Sequence, residues 1–370
     1  MIEYNVDNLL RIAKRYNNNK RSYLLVNPLQ GKHLPTKPKA ALDMMKALGD
    51  KVAEKYSDAK FVIGFAETAT AIGVMVAASL SEKCIYIHTT REPVSPCIEF
   101  LEEHSHAPEQ RLYSAKLSAW IDSTSTVVFV DDEISTGKTL CNMIRQLKSL
   151  YPTLNQKRLV AASIINRLTP ENEAIFQREG IDCVYLVKLS EADFDVSNIN
   201  IEAPHILAPA PKFPGNMIFI EEKMPPNPRL GVSIGKYIHA LRGLSMSIYR
   251  LVESDKYDSV LIAGTEEFMF PAIFAAAEAE EDDDYEVVTQ STTRSPIGIS
   301  NAKDYPINEG FQLRSVYDEN RTTYIYNLDY YDLIIFLTDI AEWNETTSKD
   351  LISICHFHGF RQLILVGDVD

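Results

Sequence analysis

The sequence predicts an α/β protein of two domains, each a parallel β-sheet with helices on both faces, the second a degenerate repeat of the first. Three observations predict this class. Short, continuous apolar runs alternate with segments of helical period, the pattern of a parallel sheet buried on both faces. Seven prolines (Pro204, Pro209, Pro211, Pro214, Pro225, Pro226 and Pro228) interrupt that alternation. The segments before this break recur after it in the same order. The expected boundaries are residues 1–205 for the first domain, 206–230 for a proline-rich linker and 231–370 for the second domain.

Composition narrows the classes. The chain has 370 residues, 45% of them hydrophobic, enough for two sizeable cores. A net charge of −14 argues against a nucleic-acid backbone as partner. An anionic ligand then needs a local site, best served by a divalent metal. The cysteines (Cys84, Cys97, Cys141, Cys183 and Cys355) lack paired spacing, which suits a reducing compartment. Met1-Ile2-Glu3-Tyr4-Asn5 has neither the basic start nor the apolar core of a signal peptide. No run is long and apolar enough to span a bilayer, so the expectation is a soluble, cytoplasmic protein without a membrane partner.

In chain order, residues 7–15 read as a short amphipathic helix and 22–26 as a strand. Gly31-Lys32-His33 forms a basic loop, a candidate hood over a bound base. Residues 38–56 are helical by period, with Ala41, Met44, Met45, Leu48 and Val52 on one face. A buried strand at 61–65 runs into the small-residue loop Ala66-Glu67-Thr68-Ala69-Thr70 and a helix over 72–80. The strand at 84–88 ends in Thr89-Thr90-Arg91-Glu92-Pro93. Residues 92–112, with Glu103-His104-Ser105-His106, read as a polar, irregular lid. The apolar strand Val127-Val128-Phe129-Val130 ends at Asp131-Asp132. Ser135-Thr136-Gly137-Lys138-Thr139 follows as a turn, and Leu140 opens a helix. Strands at 159–165 and 184–187 flank a helix at 170–179.

The repeat rests on five anchors. Residues 61–68 align without a gap on 260–267, and Thr89-Thr90-Arg91-Glu92-Pro93 matches Thr292-Thr293-Arg294-Ser295-Pro296. Residues 127–132 fall over 334–339, Leu159-Val160 over Leu363-Ile364, and Gly31-Lys32-His33 over Gly235-Lys236-Tyr237. A shared α/β pattern yields strands, but not Thr-Thr-Arg-x-Pro twice. The second copy lacks the glycine turn: Ile340-Ala341-Glu342-Trp343-Asn344-Glu345 stands there, and its carboxylates oppose an anion. Gly264, Thr265, Glu266 and Arg294 remain as candidates for a second pocket.

A strand, a small-residue turn and a helix N-terminus make a phosphate cradle, because free N–H groups and the helix dipole face the turn. The carboxylates at its mouth suit the hydroxyls of a ribose. Gly137-Lys138-Thr139 also resembles the end of a P-loop, but that motif needs a glycine where Asp132 stands. Cys355-His356-Phe357-His358 has the composition of a metal cluster, yet no further ligand accompanies it, so core packing is expected.

The strand, acidic pair and Thr-Gly-x-Thr turn resemble the phosphoribosyl diphosphate (PRPP) site of type I phosphoribosyltransferases. The resemblance implies a Rossmann-like, phosphoribosyltransferase-like fold for both domains. It also implies roles. Asp131 and Asp132 bind the ribose hydroxyls directly or through Mg2+, and Ser135, Thr136, Gly137, Lys138 and Thr139 cradle the 5′-phosphate. Ala66, Glu67, Thr68, Ala69 and Thr70 form the pyrophosphate loop, and 92–112 is the lid; Arg91, ending a strand that faces this site, is a candidate contact to pyrophosphate or a partner in a salt bridge. Glu133 departs from the usual apolar residue, and could add a metal contact or orient a base. With Thr293-Arg294-Ser295-Pro296, the chain is similar to the orotate-phosphoribosyltransferase-like subfamily that carries a C-terminal TRSP domain. That subfamily is associated with bacterial tellurium-resistance and stress-response gene clusters, whose other proteins are implied partners. The implied reaction exchanges the pyrophosphate of PRPP for a base-like acceptor. A PRPP- or nucleotide-binding sensor is the rival reading. Homodimers are common in the family, and an internal duplication offers a pseudo-dimer instead.

Overall fold

A computed structural model describes residues 3–17, 22–100, 110–189, 194–210, 215–281 and 284–369. In chain order the first elements are α1 (Val6–Leu9), β1 (Arg11–Lys14), β2 (Tyr23–Val26), α2 (Pro38–Lys55), β3 (Phe61–Gly64), α3 (Thr70–Leu80) and β4 (Ile85–His88). There follow β5 (Cys97–Phe100), β6 (Gln110–Tyr113), α4 (Leu117–Asp122), β7 (Thr126–Ile134), α5 (Lys138–Leu150), β8 (Arg158–Asn166), α6 (Pro170–Glu179) and β9 (Ile181–Lys188). After the first proline cluster come β10 (Asn216–Glu222), β11 (Val232–Ser233), α7 (Ile234–Val252), β12 (Ser259–Gly264), α8 (Phe270–Ala279) and β13 (Glu286–Ser291). The chain closes with β14 (Gly310–Arg314), β15 (Thr322–Tyr326), β16 (Leu333–Leu337), α9 (Glu345–His358) and β17 (Gln362–Asp368).

Two units emerge, and they do not follow chain order. One comprises Asp43–Ala192 and Pro226–His239 with Met1–Asn5; the other comprises Val6–Leu42, Asp193–Pro225 and Ala240–Asp370. The first unit holds a six-stranded sheet of order β11-β4-β3-β7-β8-β9, parallel from β4 to β9. Its edge strand β11 is antiparallel, with Val232 opposite Tyr86. Every residue of β3 and all of β7 except Asp131, Asp132 and Glu133 belong to the buried interior. That explains their unbroken apolar runs. Helix α5 turns Leu140, Cys141, Met143, Ile144 and Leu147 inward as one stripe. Part of the stretch expected to be irregular is the antiparallel hairpin β5–β6, rooted by a bridge from Thr90 to Arg111. Its acidic and histidine segment at 101–109, with His104 and His106, lies outside the described residues.

The second unit is a five-stranded parallel sheet of order β10-β17-β16-β12-β13. Alternate residues along its strands feed two cores, as the two-residue period of a strand demands. Val260, Ile262, Ile335 and Val366 pack with α8 on one side; Leu261, Ala263, Phe336 and Leu365 pack with α9 and β14 on the other. Strand β10 lies inside the expected linker, because Met217-Ile218-Phe219-Ile220 pairs with β17 throughout. The helix expected at 7–15 is confined to Val6–Leu9. The remainder is β1, paired with β2 and extended by a bridge from Arg15 to Ile297, so tertiary pairing overrides the local period. The Gly31-Lys32-His33 loop, the candidate hood, is buried within this unit. Lys32 is fully buried in this unit and donates to the carbonyls of Glu266 at 2.6 Å and Thr292 at 3.0 Å. Cys355 is buried in α9 and the His358 ring stacks on Phe360, as core packing requires. All five cysteines are free thiols, and no described helix is long and apolar enough to cross a membrane.

Candidate active site

Three loops leave the carboxyl ends of the neighbouring strands β4, β3 and β7 in the first unit, the place where parallel α/β sheets bind ligands. The β7 strand does not end before the acidic pair. Its ladder with β8 runs on, with Asp131 opposite Ser163 and Ile134 opposite Asn166. Successive strand residues point to opposite faces, so Asp131 and Glu133 share one face and Asp132 takes the other. Asp131 accepts from the Asp132 backbone N–H at 2.9 Å. Its carboxyl lies well above the usual carboxylate range, first because burial strips its hydration and then because Asp132 repels a second charge.

Asp132 reaches the β3 loop. Its Oδ1 accepts from Thr68 Oγ1 at 2.7 Å, joining the acidic pair to the Ala66–Thr70 segment. That segment is held from beneath. The Ala66 N–H donates to Thr89 Oγ1 at 2.9 Å, Thr89 in turn donates to Gln110, and Gln110 Nε2 donates to the Ala66 carbonyl at 3.1 Å. The Ala66–Glu67 peptide is cis, and Glu67 is buried. Gln110 is the first residue of β6 and stands opposite Phe100, so strand β6 braces this loop. Arg91 is exposed just beyond β4, and its carbonyl accepts from Arg111 at 3.1 Å.

The Ser135–Thr139 turn leads into α5 with Gly137 at the N-cap, at φ 69°. A Cβ at Gly137 would run into the Phe176 ring, so both conformation and space require glycine. The glycine cap itself brings no side chain to the first N–H groups of the helix, of which the Lys138 N–H donates to Thr136 Oγ1 at 3.4 Å. Thr136, Lys138 and Thr139 are exposed around it. Sequence reasoning missed Thr89, Gln110 and Arg167. Arg167 follows β8 and forms a 2.7 Å ion pair with Glu133, the side chains only 3% and 12% exposed. The departure at Glu133 therefore has a structural partner, and only the three-dimensional neighbourhood of β7 and β8 reveals it.

Residues 9–190 match the family model described as phosphoribosyl transferase, and residues 227–355 match the model of the TRSP domain that stands C-terminal to it. The chain carries a phosphoribosyl transferase domain followed by a TRSP domain. Among solved structures it is similar to an orotate phosphoribosyltransferase from Aeropyrum pernix, at 17% identity and TM-score 0.33, over 48% of this chain and 88% of that one. It is also similar to an adenine phosphoribosyltransferase from Trypanosoma brucei, at 14% identity and TM-score 0.35, over 52% and 83% of the respective chains. No curated protein matches the chain.

The site of this phosphoribosyltransferase was tested for its fit to Mg2+. Among the described residues no three carboxylate, histidine or cysteine side chains converge to cage an ion. Mg2+ rarely uses such a cage; it takes one or two carboxylates and completes its shell with water and substrate phosphates. Asp131 and Asp132 are adjacent, half-buried carboxyls near the end of β7, and match the one or two carboxylates this mode uses.

In the second unit, Gly264 ends β12 and Thr265 donates to Thr338 Oγ1 at 3.1 Å. Glu266 is buried at φ 46° and pairs with Arg294. The structure brings these candidate residues together around an ion pair.

Proposed function

We propose that the first unit binds PRPP and transfers its phosphoribosyl group to a base-like acceptor with the help of Mg2+. The Thr68–Asp132 hydrogen bond carries this reading, because it sets the loop after β3 against the acidic pair of β7, beside a helix that opens on glycine. In this reading Asp131 and Asp132 accept the ribose hydroxyls, and the N–H groups following Gly137 take the 5′-phosphate. The Ala66–Thr70 loop and Arg91 take pyrophosphate. An acceptor nitrogen forms the new bond to ribose C1 as the C1–oxygen bond breaks. Pyrophosphate leaves with that electron pair, and the acceptor's proton passes to water. Mg2+ supplies charge neutralisation for the leaving group. The carboxylates near the ring favour the positive charge that develops on it, so most of the acceleration comes from positioning and fixed charge.

The test incubates the full chain with PRPP, Mg2+ and a panel of purine and pyrimidine bases, and measures released pyrophosphate. Release dependent on one base supports the proposal. PRPP binding without release for any base would favour a sensor, and absence of PRPP binding would refute the site itself.

A further inference from the structure

We infer that the second unit holds a counterpart of this site that its own side chains fill, with Glu266 as a built-in anion. The correspondence rests on register. In the first sheet Gly64 stands opposite His88 and Val130; in the second, Gly264 stands opposite Ser291 and Leu337. The Ala66 N–H donates to Thr89 Oγ1, and the Glu266 N–H donates to Thr292 Oγ1 at 3.0 Å. Thr90 bridges Arg111 in one hairpin, as Thr293 bridges Tyr324 in the other. These bonds shift the gapless alignment of 61–68 by one residue, so that Glu266 occupies the place of Ala66 rather than of Glu67.

Each part expected to hold PRPP in the first unit is engaged internally in the second. At the loop after β12, the Glu266 carboxylate pairs with Arg294, accepts from Ser315, and accepts from Arg321 at 3.1 Å. An anion seeking these arginines meets one already there. Lys32 fixes the same loop through the Glu266 carbonyl. At the acidic position the two units are alike: Tyr317 donates its hydroxyl to Asp339 as Thr68 donates to Asp132, so the contrast lies at the loop and the helix. At the helix, the N-cap that is Gly137 in α5 becomes Asn344 in α9. The Asn344 side chain accepts from the Thr347 N–H at 2.7 Å, closing the end that a phosphate would use. Ser315, Tyr317 and Arg321 all come from the β14–β15 turn, so the hairpin closes on its own site.

The experiment uses full-length protein and two probes, PRPP and inorganic pyrophosphate, read by titration calorimetry and by the shift in unfolding midpoint. Asp131→Asn with Asp132→Asn should weaken PRPP binding by about 100-fold or more, as expected from losing charge-assisted hydrogen bonds, and leave no second site. Glu266→Gln in that background keeps the shape of the side chain and frees the arginines of its charge. It should gain pyrophosphate binding, seen as a midpoint that rises with pyrophosphate and stops rising when Arg294→Ala is added. Residual PRPP or pyrophosphate binding in the Asp131/Asp132 variant that Arg294→Ala abolishes would overturn the inference. So would a folded Glu266→Gln variant that gains none. The part of the pyrophosphate readout that Arg294→Ala removes concerns the second unit alone, so it stands or falls separately from the assignment of the first.

Discussion

Replacing Arg167 by methionine tests whether the carboxylate row on β7 is held by its buried partner. The Glu133–Arg167 pair is 2.7 Å long and almost closed to water, so methionine takes this ionic partner from a largely desolvated carboxylate. Breaking such a pair by removing one partner costs about 3–5 kcal/mol. For a unit of this size each kcal/mol lowers the midpoint by roughly 2–4 °C, so the expected fall is about 6–20 °C. Glu133→Met with Arg167→Met removes both charges and should recover most of that loss. Thermal unfolding followed by circular dichroism, arranged as a double-mutant cycle, isolates the pair. An Arg167→Met midpoint within about 1 °C of wild type, or a double variant as unstable as the two singles added, would refute the reasoning.

Three further outcomes are expected. Asp131→Asn with Asp132→Asn abolishes pyrophosphate release while far-ultraviolet circular dichroism stays unchanged, and chelating Mg2+ from wild type has the same kinetic effect. Gly137→Ala, forced to φ 69° against Phe176, loses about 1–3 kcal/mol of stability, with weaker PRPP binding in a titration. A piece comprising residues 206–370 lacks the Val6–Leu42 segment of its unit, including buried Lys32, and should fail to give a cooperative unfolding transition. A sharp transition in that piece would show that the segment is dispensable.

The elements that build the site were legible because their signals are local. An apolar strand, two carboxylates, a glycine turn and a periodic helix lie in one continuous stretch, from Val127 to Leu147. The loop after β3 was legible in the same way. What escaped was set by partners distant in sequence. The strand at Asp131–Ile134 continues because β8 pairs with it, which no local pattern states. Residues 11–14 prefer a helix by period and become β1 because β2 offers a ladder. Lys32 reads from the sequence as part of a basic loop, but it lies in the interior and donates to the backbone carbonyls of Glu266 and Thr292. The recurring segments are readable in the sequence, yet residue identity alone places Glu67 over Glu266; the inferred counterpart site, matched on the ladders around Gly64 and Gly264, sets Glu266 over Ala66.

The most direct measurement is a crystal structure of the full chain with PRPP and Mg2+. The account predicts the 5′-phosphate on the N–H groups after Gly137, the ribose hydroxyls on Asp131 and Asp132, and pyrophosphate along Ala66–Thr70. The Glu266–Arg294 pair should remain intact. PRPP bound at Arg294 and Arg321, with the Gly137 turn empty, would contradict it.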